Sequence, residues 1–136
     1  MIINTALGLQ KEFKIYGNDW PTPDGTPIRD YIHVMDLADG HIKALDFLFR
    51  NKTQLIKLNI GTGKGHSVLD LIKTFENANN VSVPFEFDQR RDGDVCQLVA
   101  DNSKAKSILN WSPAKSLKEM CIDGWRWKNI NPKGYM

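Results

Sequence analysis

Cysteine is scarce in this chain and poorly placed for chemistry. Only Cys96 and Cys121 occur among its 136 residues, and their separation matches no metal-ligand or redox spacing, which excludes a zinc module, a disulfide scaffold and a thioredoxin-like motif. Long hydrophobic runs are also missing. No stretch approaches the roughly 20 apolar residues that a membrane helix needs, and nothing at the start reads as a basic region followed by the apolar core of a secretory leader. Nor does one sign of charge dominate. Eighteen basic and sixteen acidic residues leave a formal charge of +2, and the signs are interspersed, so no broad patch for nucleic acid or a membrane surface is expected. Repeats and low-complexity tracts are absent as well. What remains is one compact unit over residues 1–136 in a reduced, cytoplasmic setting, with 41% hydrophobic and 25% charged residues.

Hydrophobic spacing and punctuation predict a mixed order of helices and strands. A helix over residues 1–10 begins without a capping residue, as though the chain started inside an element. Phe13 and Ile15 suggest a strand ending at Tyr16-Gly17, followed by a proline-rich loop over 20–27. Asp36 is placed to cap a helix running to Arg50, and Met35, Leu37 and Leu45 are expected in the core. A strand around Ile56–Ile60 should lead into a glycine loop. Ser67 and Asp70 resemble a capping box opening a helix to about Ala78. A strand over 81–87, a short helix over 103–109 and a last helix capped by Ser116 and Glu119 complete the pattern, with Trp125 and Trp127 as packing residues of that helix.

The glycine loop, NIGTGKGHS, invites a phosphate-binding reading that its spacing does not support. Gly61, Gly63 and Gly65 follow G-x-G-x-G, and His66 stands where a dinucleotide fingerprint needs its third glycine. A P-loop fails too, because Leu58 replaces its first glycine and Gly65 follows Lys64 where Ser or Thr is required. The loop is therefore expected to be a turn whose glycines supply positive backbone angles before a capped helix. His33, His41 and His66 have no partner at metal or nucleophile spacing, so structural roles are expected for them.

Arginine in two loops is the stronger chemical signal. Arg29 lies in TPIRDYIHVMDLADGH and Arg91 in RRDGD, and two planar, permanently charged forks converging from separate loops suit a pyrophosphate. Asp94 is placed to accept hydrogen bonds from sugar hydroxyls of the same ligand. A solvated charged turn, with each arginine paired to neighbouring aspartates, is the alternative.

The runs YGNDWPTPDGTPIRDYIHVMDLADGHIKAL (16–45), LNIGTGKGHSVLDLI (58–72), RRDGD (90–94) and DNSKAKSILNW (101–111) together resemble the UDP-glucose 4-epimerases of the extended short-chain dehydrogenase/reductase family. The resemblance covers essentially the whole chain and corresponds to that family's C-terminal part. It implies an α/β fold: a small mixed helix-strand substrate-binding domain, with NAD held by an N-terminal Rossmann domain absent from this sequence. It also implies that Lys14, Ile15 and Tyr16 lie against the uracil of UDP-glucose or UDP-galactose, that Arg29 and Arg91 contact the diphosphate, and that Asp94 faces the ribose. Tyr31 is expected to pack beneath the site. Leu98 departs from the pattern, which has a tyrosine near the sugar at that point. The family's chemistry moves a hydride from C4 of the sugar to NAD and uses a Tyr-x-x-x-Lys pair. Tyr16 and Tyr31 are followed four positions later by Trp20 and Met35, and Tyr135 by nothing, so the chain supplies no catalytic residue. No metal, nucleic acid or membrane enters this reading. A Rossmann domain of the same or another chain is the implied partner, and a homodimer is also open. Two rivals remain: a stand-alone non-catalytic nucleotide-sugar-binding module, and part of a UDP-sugar dehydratase or decarboxylase.

Overall fold

The computed structural model describes residues 2–51 and 55–134; the first residue of the helix expected over 1–10, and Tyr135, lie outside them. Helix α1 (Ile2–Ala6) is shorter than its apolar pattern suggests. Gly8 adopts a positive φ of 70°, and the amides of Gly8 and Leu9 donate back to the carbonyls of Thr5 and Asn4. This left-handed glycine stop ends the helix. Strand β1 (Phe13–Tyr16) follows, then the two-residue strand β2 (Ile28–Arg29).

Helix α2 (Val34–Arg50) is capped by His33, not by Asp36. The Met35 amide donates to His33 Nδ1 at 3.0 Å, which leaves Nε2–H to donate to Asp123 at 3.2 Å. Asp36 is instead buried within the first turn, and its carboxylate accepts from the Lys115 amide. That bond ties α2 to the approach of the last helix.

Two-residue β3 (His66–Ser67) runs straight into α3 (Val68–Asn79). Ser67 accepts from the Asp70 amide as expected, but Asp70 does not complete the box. Its carboxylate lies 2.6 Å from His66 Nδ1. Asn80, in the left-handed region, closes α3. The next strand, β4 (Phe85–Asp88), starts four residues later than the alternation suggests. Val83 is drawn into the core, its amide donating to the Glu76 side chain, and Pro84 has no N–H to give a ladder. Two-residue β5 (Gln97–Leu98) precedes α4 (Ser103–Leu109) and α5 (Leu117–Ile130). The Ser116–Glu119 capping box is complete, and bonds from the Ser116 backbone and hydroxyl hold the Glu119 carboxyl down at about 2. No strand forms over 55–60; Leu58 and Ile60 pack instead against the cluster around Trp111.

Two small sheets result. Strands β1 and β4 pair in parallel, Phe13 opposite Phe85 and Tyr16 opposite Asp88. In the second sheet β2 is central, antiparallel to β3 and parallel to β5. Ile15, Ile72, Phe75, Val83 and Cys121 form the main core between β1, α3 and α5, where Trp125 meets Phe75 edge-on at 5.7 Å. Each such side chain contributes roughly 1.5–3 kcal/mol by leaving water. Burial likewise pushes the Cys121 thiol up to about 11.

Several expected core residues face outward. Trp127 is 42% exposed, and Met35 and Leu45 are more so, because α2 turns Asp36, Gly40, Ala44 and Phe47 inward. Gly40 permits this: a Cβ there would stand 3.2 Å from Ile60 and 3.4 Å from Trp111. Met35, Ile42, Leu45 and Phe49 form an exposed apolar seam along the opposite face.

Asp24 fastens the proline-rich loop to α3, accepting from the Ser67 hydroxyl and from the amide and hydroxyl of buried Thr26. Ser67→Ala removes both the helix cap and that tether, so it should lower stability by about 1–2 kcal/mol in urea unfolding. A midpoint equal to that of the parent would show that neither bond matters.

Candidate functional site

The parallel pairing of β1 and β4 brings their carboxyl ends together, and the loops leaving them, 17–27 and 89–96, meet there. Such ends are where open α/β sheets bind ligands. Strand alternation decides what each β1 residue offers. Ile15 is 1% exposed, its side chain in the core, so only its backbone is available at the surface. Lys14 and Tyr16 point to the opposite face. Lys14 Nζ lies 3.1 Å from Asp88 and 3.2 Å from Glu86. Hydrogen bonds to Asp88 and then Glu86 raise its pKa. This ammonium is therefore committed to the strand pair.

Arg91 lies over the Tyr16 ring, 4.4 Å from its centroid, and its Nε donates to Asp94 at 3.0 Å. Arg29, on β2, reaches the other oxygen of the same carboxylate at 3.5 Å. Its Nη1 donates to the carbonyls of Ile28 and Val95, at 2.8 and 2.9 Å. The structure thus gathers Tyr16, Arg29, Arg91 and Asp94 from three segments. Lys14 is turned towards β4, and Ile15 contributes backbone alone.

A second arginine contact escapes a reading by motif. Arg90 covers Trp20 at 3.9 Å and donates from Nε to the Asp19 carboxylate at 2.7 Å. A Cβ at Gly17, where φ is 88°, would sit 2.4 Å from Trp20 Nε1. The doubled arginine of RRDGD therefore has a division of labour: Arg90 pins the tryptophan loop, and Arg91, with its side chain 61% exposed, lies over Tyr16 and bonds Asp94. The only signal in the sequence is the aromatic Trp20 beside a proline, which does not name its partner.

The glycine loop does bind an anion, and the anion is internal. Asp30 accepts from the amides of Thr62 and Gly63, both at 2.9 Å, from the Thr62 hydroxyl, and from the Ala100 amide at 3.3 Å. Burial alone would push its carboxyl up, but the bonds from Thr62, then Gly63 and Ala100, bring it below the usual carboxylate value. Only Gly63 of the three glycines has a positive φ, 73°. The other two are needed for close approach: a Cβ at Gly61 would lie 2.5 Å from Ala100, and one at Gly65 2.5 Å from Ile28. The expectation of three left-handed glycines is corrected accordingly. With Thr62 and Gly63 amides spent on Asp30, the loop does not fit the pyrophosphate of NAD.

Two cavities flank this loop. One of about 480 Å³ includes Arg29, Asp30, Gly61 and Leu98. Leu98 stands opposite Arg29 in the parallel ladder and is 64% exposed. A larger one, about 560 Å³, is lined by Tyr31, Thr62, Lys64, His66, Lys106 and Ser116 and contains neither arginine. Tyr31 therefore borders a separate hollow, with burial raising its pKa against the pull of Arg29. We place the candidate site at the arginines in spite of the size difference, because fixed guanidinium forks match an oxyanion better than flexible lysines do. Among the described residues no group of acidic, histidine and cysteine side chains could hold a metal ion, and no helix is long and apolar enough to cross a membrane.

Residues 1–123 match the family described as GDP-mannose 4,6 dehydratase. The chain is 46% identical to UDP-glucose 4-epimerase of Bacillus subtilis over 134 residues, covering 98% of this chain and 39% of that protein. The UDP-glucose 4-epimerase of Stenotrophomonas maltophila, solved with NAD and formylated UDP-arabinopyranose, superposes with a TM-score of 0.91 at 47% identity, over 97% of this chain and 39% of that one. That of Bifidobacterium longum, solved with NAD+ and UDP, gives 0.91 at 40% identity over 98% and 39%. The mixed α/β fold matches the C-terminal domain of these epimerases. The chain spans about two fifths of the length of such relatives.

Replacing Asp30 by Ala leaves three amides and a hydroxyl without their acceptor. A loss of about 2 kcal/mol is expected after allowing for partial exposure. Because the folded pKa is depressed, the contribution is complete above the unfolded value near 4 and disappears as pH falls through the folded one. The gap between parent and Asp30→Ala should thus be widest above about pH 5 and shrink towards pH 2; a gap independent of pH in thermal melts would refute this.

Proposed function

We propose, since this chain belongs to the GDP-mannose 4,6 dehydratase family, that it is the substrate-binding part of a UDP-glucose 4-epimerase. The observation that carries this reading is the convergence of Arg29 and Arg91 on one carboxylate at the carboxyl ends of a parallel strand pair. In it the two guanidinium groups hold the diphosphate, Asp94 receives the ribose hydroxyls, and the backbone of Lys14, Ile15 and Tyr16 borders the uracil. Tyr16 holds the Arg91 guanidinium over its ring, so less rotamer freedom is lost when the ligand arrives.

The reaction is the interconversion of UDP-glucose and UDP-galactose through a 4-keto intermediate, in a cytoplasmic enzyme. NAD, which accepts and returns the sugar's hydride, and the Tyr-x-x-x-Lys pair belong to the N-terminal Rossmann domain. What this chain does is bind the nucleotide diphosphate and orient the sugar towards that domain. Two features support a partner surface of this kind. The α2 seam of Met35, Ile42, Leu45 and Phe49 is apolar and exposed, and the Leu55–Ile60 stretch has the composition of a strand without forming one. A contiguous exposed apolar seam suits an interaction face. A homodimer or a stand-alone module would draw on the same surface. A second reading, part of a related nucleotide-sugar dehydratase, draws on the description of the matching family, which names GDP-mannose 4,6 dehydratase.

Arg91→Ala should weaken UDP binding about tenfold or more, since a charge-assisted bidentate contact is lost; unchanged affinity by calorimetry would remove Arg91 from the site. The chain by itself, given NAD and UDP-galactose, should produce no UDP-glucose, and measurable turnover would place catalytic groups within these residues.

A further inference from the structure

Folding gathers positive charges that are dispersed along the sequence. The hollow of about 560 Å³ is walled by Lys64 of the glycine loop, Lys106 of α4, and Lys115 and Lys118 at the start of α5, together with His66 and Asp70. Four ammonium groups thus share one concave surface with a single carboxylate, in a chain whose whole formal charge is only +2. The negative charge nearby is already spent. Asp70 lies 2.6 Å from His66 Nδ1. Lys115 lies 3.1 Å from Glu119, and that bond, helped by Asp123 and Asp36, raises its pKa. Glu119 in turn accepts from the Ser116 amide and hydroxyl, and Asp101 acts on Lys106 only through space. No ion pair among the described residues engages the ammonium group of Lys64, Lys106 or Lys118. Three unmatched like charges around one hollow repel one another, and its concave wall focuses their potential inward.

We propose that this hollow is a second anion site, separate from the arginines, that takes a free polyphosphate, a linear chain of three or more phosphate groups. Its volume lies within the roughly 300–1,000 Å³ of small-molecule sites. The chemistry of its wall differs from that of the arginine pair. A guanidinium fork selects a planar, bidentate partner, whereas a lysine head is a hydrated point charge on a flexible stem. Lysines arriving from three segments can each follow a different phosphate along a chain. A single phosphate reaches too few of them to offset the side-chain freedom lost in holding it. Apart from Tyr31 and His66 the wall has no ring on which a base could stack, so recognition falls on the phosphates themselves. The hollow contains neither Arg29 nor Arg91, and its assignment is independent of the diphosphate reading.

The test is an NMR titration of the chain with inorganic tripolyphosphate. The amides of Lys64, Lys106 and Lys118 should shift, and the affinity should fall steeply as salt is raised. Inorganic phosphate at equal ionic strength should bind at least about tenfold more weakly. Lys64→Gln combined with Lys106→Gln should weaken tripolyphosphate about tenfold, and Lys118→Gln alone about threefold. These side chains are exposed, and the amide spectrum reports that each variant is folded. Arg91→Ala should leave the shifts at the three lysines and their midpoint unchanged. Shifts confined to residues 89–94, an absence of binding, or equal affinity in the lysine variants overturns the proposal. Capture of the chain by phosphatidylcholine vesicles containing a phosphoinositide, with free tripolyphosphate left unbound, overturns it in favour of a lipid headgroup.

Discussion

The carboxylate of Asp30 is the point at which three segments distant in sequence are joined. It draws the Thr62 and Gly63 amides and the Ala100 amide onto one residue at the end of β2. Each amide would otherwise need a partner when partly buried. The tightness of that junction explains why glycine stands at 61 and 65, where a Cβ would overlap Ala100 and Ile28. It also bears on function, because Arg29 immediately precedes Asp30. Fixing Asp30 fixes the strand from which Arg29 reaches Asp94. A loop that looks like a phosphate cradle is therefore structural, and Arg29, proposed above for the diphosphate, lies one residue from the carboxylate that the loop binds.

Charge at the candidate site is arranged in two tiers. Arg90 is consumed in holding the tryptophan loop through Trp20 and Asp19. Arg91 and Arg29 keep donors directed at one shared carboxylate. The first tier is packing that happens to use a cation, since its guanidinium lies over an aromatic face. The second is a shared ion pair of both arginines with the Asp94 carboxylate, at the place proposed for the diphosphate.

Helix α2 shows how one element serves two surfaces. Its inward row of Asp36, Gly40, Ala44 and Phe47 is small or polar near the helix start, which lets Trp111 and Ile60 approach closely. Its outward row of Met35, Ile42, Leu45 and Phe49 is the more hydrophobic. Periodicity finds both rows but does not say which faces this chain's own core. Leu45 and Met35 were expected inside on that ground, and packing put them outside.

Much of this protein is written locally. The caps at Ser67 and Ser116, the short helix over 103–109 and the proline-rich loop depend on neighbours a few residues away, so composition and spacing suffice to place them. The long runs around Arg29 and Arg91 likewise determine the family by themselves. Tertiary structure alone decided the rest. Strands of two residues, such as β2, β3 and β5, are too short to show a period and exist only because each finds a partner. The capping of α2 by His33 depends on Asp123 from α5, and the idle glycine loop depends on Asp30. Whether Arg29 and Arg91 reach one carboxylate is a matter of how distant strands pair, and no local pattern encodes that distance.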